Sequence, residues 1–141
     1  MKNKKILLVF LCSIIGMMSV FFLFKTGENY DDIKNELVVE DSNLKKQAEK
    51  FSKKVITLAQ KNNSLAFSKK LKIDEQLGQI IFDYTKKIEK NAPAVAVNCS
   101  EKVRDYLYVY YKNSDKFYKF QLVVKNNKWQ LLNVVEVDKI G

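Results

Sequence analysis

The hydrophobic periodicity of this chain changes once, at Asn91-Ala92-Pro93, and that change decides its fold class. Before it, apolar residues recur at steps of three and four; after it, they alternate with period two. Helices followed by strands, rather than the two interleaved, predict an α+β domain with an antiparallel sheet. Pro93 is the only proline. The residue before a proline is steered out of the α region, so a helix must end there.

Upstream, Leu44, Ala48, Phe51, Val55 and Leu58 fall on one stripe and predict a long helix over about 43 to 61, with lysines on its opposite face. Asp41, Ser42 and Asn43 offer N-cap side chains, and Asn62-Asn63-Ser64 reads as a stop and restart. Leu65 to Leu71 is ambiguous in pattern, with Leu65, Ala66, Phe67 and Leu71 able to close a short helix over the core. Ile73, Leu77, Ile80, Ile81, Tyr84 and Ile88 repeat the helical spacing and predict a second long helix. Asp74 and Glu75 lie in its first turn, where the helix dipole favours acids, and are read as dipole partners rather than an acid/base pair.

Downstream, residues 94–99 form a short strand candidate, and 103–112, 116–125 and 128–138 form longer ones. Asn113-Ser114-Asp115 and Asn126-Asn127 tolerate left-handed backbone, so the last three read as a meander. Tyr118, Phe120, Leu122 and Val124 share one face of the third strand, and Trp129, Leu131, Val135 and Val137 one face of the last. Lys119, Gln121, Gln130 and Glu136 then fall on the outer faces of a half-covered sheet. Strand 103–112 departs from that rule. Val103, Leu107 and Val109 point one way and Tyr106, Tyr108 and Tyr110 the other. A tyrosine row has an apolar body and a polar tip, which suits either packing against a helix or strand or a contact patch for a partner.

The N-terminal feature of consequence is the uncharged run Ile6–Phe24, between Lys2, Lys4, Lys5 and Lys25. About nineteen helical residues at ~1.5 Å each reach about 28 Å, the thickness of a bilayer's hydrocarbon. The flanking lysines favour a cytoplasmic N-terminus, which sends the rest of the chain outward. A cleaved secretory signal is the rival reading, but Phe21, Phe22, Leu23 and Phe24 leave no small-residue cleavage site. A lipid anchor on Cys12 is disfavoured by Leu11 and by the short apolar run before it. The expected layout is a cytoplasmic stub at 1–5, a single transmembrane helix at 6–24, a tether at 25–41 and an extracytoplasmic domain at 42–141. That domain is expected to pack two long helices on a curled antiparallel sheet of three or four strands. It would sit at the outer face of the cytoplasmic membrane, single-pass.

There is no histidine in the chain, which removes the commonest general base and metal ligand. Cys12 lies in the apolar run and Cys99 is the only other cysteine, so no disulfide is expected and Cys99 reads as a small buried apolar residue. No catalytic residue, metal set or cofactor is assigned, and binding is expected rather than catalysis. The net charge is +9. Glu28 to Asp41 is acidic, with Lys34 its only base, whereas residues 44–72 hold nine lysines against Glu49. Such a block reads as a solvated helix face or as a surface for an anionic partner. Lys50, Lys53 and Lys54, with Tyr106, Tyr108 and Tyr110, are the candidate partner-binding residues. The extracytoplasmic location argues against nucleic acid.

Two long amphipathic helices followed by a meander, closing on Asn126-Asn127-Lys128-Trp129-Gln130-Leu131, resemble the nuclear-transport-factor-2-like, or cystatin-like, α+β ectodomains of membrane-anchored bacterial proteins. Enzymatic members place an aspartate and a histidine in the cone, and the missing histidine means that their catalysis is not implied. The anchor-then-helix layout is also similar to assembly factors of conjugation channels, and the overall plan to periplasmic toxin-immunity proteins. What these resemblances imply is a non-enzymatic binding or scaffold protein that engages a protein partner through its sheet near the membrane, with toxin immunity and channel assembly as alternatives.

Overall fold

Each helix starts where an aspartate or asparagine side chain caps it. The computed structural model describes residues 36–141. The Asp41 carboxylate accepts from the Asn43 and Leu44 amides at 2.9 and 3.2 Å and starts α1 (Ser42–Lys61). Asn63 caps α2 (Ser64–Leu71) through the Ala66 amide at 2.8 Å, and Asp74 caps α3 (Glu75–Lys86) through the Gln76 and Leu77 amides. Replacing such a cap by alanine costs about 1 kcal/mol. The stretch left open at Leu65–Leu71 is therefore a helix, and it buries Phe67 completely. Three helices take the place of the two expected.

The sheet is antiparallel and has five strands in the order β1-β2-β3-β4-β5: β1 (Glu36–Val38), β2 (Ala96–Ser100), β3 (Tyr106–Asn113), β4 (Lys116–Lys125) and β5 (Lys128–Val137). Two differences from expectation have identifiable causes. Residues 36–38, placed in the tether, pair with Asn98–Ser100 as an edge strand. Three residues in an acidic segment carry too little pattern to signal a strand; pairing with β2 makes them one. Strand β3 begins at Tyr106, so Val103 lies before it and is exposed. The turns follow their chemistry. Asn126 and Asn127, at φ 52° and 60°, close the β4–β5 hairpin in two residues, and Ser114 at φ 56° turns the β3–β4 hairpin.

The core lies between the helices and one sheet face. Ala48, Val55, Ile56 and Ala59 of α1, with Phe67, Ile81 and Phe82, meet Val97, Leu107, Val109, Tyr111, Phe120 and Leu122. Tyr111 shows how polar atoms are accommodated there. Ser52 donates its hydroxyl proton to the Glu49 carbonyl at 3.0 Å, so the buried Tyr111 hydroxyl donates to Ser52 at 2.7 Å. Strand β5 carries a correction. Leu122 pairs with Leu131 and Gln121 with Asn133, leaving Leu132 as a β-bulge. An extra residue reverses the alternation beyond it. Trp129 and Leu131 face the helices as expected, but Val134 and Glu136 follow them, not Val135 and Val137.

Among the described residues no helix is long and apolar enough to cross a membrane. The stub, the run 6–24 and residues 25–35 of the tether lie outside the described residues.

Candidate functional site

On the sheet face turned away from the helices, side chains from four adjacent strands converge on one carboxylate. Glu36 of β1 forms an ion pair with Lys119 of β4, and both side chains are almost fully buried. The Tyr110 hydroxyl of β3 donates to Glu36 Oε2 at 2.6 Å, and Asn98 Nδ2 of β2 donates to the same oxygen at 3.1 Å. Asn98 also reaches the Gly141 carbonyl at 3.3 Å, which ties the end of the described chain to β2. Lys119 Nζ stands 4.1 Å from the centre of the Tyr108 ring, in cation–π contact. The register explains the convergence, because Tyr110 lies opposite Lys119 and Asn98 opposite Tyr108.

The cluster is chemically closed. Three donors occupy the Glu36 carboxylate, and no buried side-chain nitrogen or oxygen among the described residues lacks a partner. Burial, reinforced by the hydrogen bond to Glu36 and its charge, holds the Tyr110 phenol well above the usual tyrosine range. Burial and the Glu36 charge raise Tyr108 as well. Both phenols therefore stay protonated across the neutral range, as the donor role of Tyr110 requires. A buried pair of this kind gains little net stability over apolar packing, but removing one partner strands a charge and costs about 3–5 kcal/mol.

The tyrosine row thus divides. Tyr108 and Tyr110 are buried, at 6% and 1% exposure, while Tyr106 is half-buried opposite Val123. The structure joins two of the three to Glu36, Asn98 and Lys119, none of which the sequence singled out. Lys119 carried a faint signal, a lysine between Tyr118 and Phe120 in mid-strand, whereas Glu36 was hidden in the tether.

The other candidates lie on the opposite side of the molecule. Lys50, Lys53 and Lys54 are exposed on α1, and among the described residues no carboxylate pairs with them. With Lys46 and Lys61 they extend along the outward face, the consequence of burying Ala48, Ser52, Val55, Ile56 and Ala59 on the other. Beside them, where α1 and the end of α2 approach β5, a groove of about 390 Å³ opens next to Trp129. Trp129 stacks on Phe51 with ring centres 6.0 Å apart, which anchors β5 to α1. Among the described residues no group of acidic or cysteine side chains is arranged to hold a metal ion. Compared with family models, with curated proteins and with solved structures, the chain shows no match.

Proposed function

We propose that this chain is a membrane-anchored, non-enzymatic binding protein of the extracytoplasmic face, and that it recognises an acidic protein partner through the outward lysines of α1. One observation carries the reading: Lys50, Lys53 and Lys54 stand exposed along one helix and form no ion pair among the described residues, Glu49 being the one acid of that helix. A single-sign face of this kind steers an oppositely charged partner and sets its register.

Two further features support it. The buried ionisable cluster is used up holding β1, β2, β3 and β4 together, which leaves Glu36 and Lys119 no free position for a substrate. The apolar run 6–24 supplies an anchor, and its lysine flanks favour the domain lying outside. The order of helices before meander is what supports the resemblance to cystatin-like ectodomains. The tyrosines of β3 act as structural members in this reading, and the contact surface expected on the sheet is proposed on the helix instead. The test is charge reversal of Lys50, Lys53 and Lys54 in the full chain, read as recovery of a partner cross-linked at α1; unchanged recovery removes α1 from the reading.

A further inference from the structure

The groove beside Trp129 combines two properties that a solvated lysine face does not need. Phe51 and Trp129 give it an aromatic wall, and Lys54, Lys70, Lys72 and Lys128 stand around it with no carboxylate among its lining residues. Backbone geometry places two of these lysines. Lys72 ends α2 in the left-handed conformation at φ 56°, where glycine or asparagine is accommodated more easily. Lys128 directly follows the Asn126-Asn127 turn, and both it and Trp129 line the groove.

We propose that this groove binds the headgroup of an anionic phospholipid, the lysines taking the phosphate and the Phe51–Trp129 wall the glycerol and first acyl carbons. A free anion would use the lysines alone; an anion joined to an apolar chain uses both. Tryptophan suits that boundary, with an apolar ring body and a polar N–H. Supply follows from the chain itself. Residues 25–35 join the apolar run to β1, and fully extended they reach at most about 40 Å, so the domain works close to the bilayer that holds the run. That supply rests on the anchored reading, while the groove shares only Lys54 with the lysines of the proposed partner face.

Trp129 is the only tryptophan, so its emission reports this groove without labelling. The full chain is reconstituted in nanodiscs of phosphatidylcholine alone or mixed with phosphatidylglycerol. Emission is expected to shift to the blue, and to be quenched by brominated lipid, in the anionic discs only. Titration with short-chain phosphatidylglycerol is expected to show roughly thirty-fold weaker binding in the double variant Lys72→Asn/Lys128→Gln, two lysines' share of attraction to an anionic headgroup. Asparagine suits the left-handed position, so a variant that melts no lower than the parent excludes misfolding as the cause. Equal emission in both discs overturns the proposal. Inorganic phosphate matching the short-chain lipid overturns it in favour of a simple anion site, and a polyglutamate peptide outcompeting the lipid overturns it in favour of an acidic segment. The partner reading is tested separately, by cross-linking at α1, and the double variant leaves Lys50, Lys53 and Lys54 in place.

Discussion

At the scale of single residues, Lys119 has the most at stake. Its ammonium is buried against Glu36 and the Tyr108 ring, so Lys119→Met leaves an uncompensated carboxylate in the sheet. The expected cost is about 3–5 kcal/mol, a fall in Tm of more than roughly 10 °C for a domain of this size. Glu36→Gln should cost a similar amount, but the double variant Glu36→Gln/Lys119→Met, which keeps an acceptor for Tyr110 and Asn98, should recover part of the loss. Thermal unfolding of the three variants checks this, and additive losses would show that the two side chains do not act as a pair.

The tyrosines predict an alkaline limit at the same scale. Burial raises the Tyr111 phenol, and burial with the Glu136 hydrogen bond raises Tyr118, each to about 12, against a usual value of 10.0. A raised phenol favours the protonated native state. Its contribution is complete below about pH 10 and is lost as pH rises from about 10 through 12. Tm should therefore stay level from about pH 7 to about pH 9 and fall beyond about pH 10, with a shallower fall in Tyr111→Phe once its loss of the Ser52 bond is subtracted.

At the scale of elements, α2 and α3 approach each other through Gly78. A Cβ built there would lie 1.9 Å from Ser68 Oγ and 2.7 Å from Ser68 Cβ. Intrinsic propensity favours alanine over glycine in a helix by about 1 kcal/mol, but overpacking costs ~1–3 kcal/mol. Gly78→Ala should thus destabilise the domain, and Ser68→Gly/Gly78→Ala should restore stability in urea denaturation. The same contrast marks what was legible in the sequence. Helix caps at Asp41 and Asp74, the α1 stripe and the Asn126-Asn127 turn are local signals, set by residues within a few positions of each other. The Gly78–Ser68 contact, the pairing of β1 and the bulge at Leu132 depend on partners distant in the chain, and one unpaired residue was enough to exchange the faces of Val134 and Val135. The polar cluster was hidden for the same reason, since its members come from positions 36, 98, 108, 110, 119 and 141.

At the scale of the whole molecule, the domain spends its buried charges internally and leaves Lys50, Lys53 and Lys54 without an ion pair among the described residues. That division separates the two faces of function and stability: the sheet face holds the fold, and the α1 face is proposed to hold the partner. The most direct measurement is cross-linking from a photoreactive residue in place of Thr57, between the α1 lysines, in the full chain and in its own membrane. The expected result is one acidic partner cross-linked, and at least a tenfold loss of that product in Lys50→Glu/Lys53→Glu/Lys54→Glu at unchanged Tm, since three reversed charges at ~0.5–1 kcal/mol each exceed the ~1.4 kcal/mol of one decade in affinity. The same product at the same yield from the charge-reversed chain would contradict the proposal that α1 is the binding face.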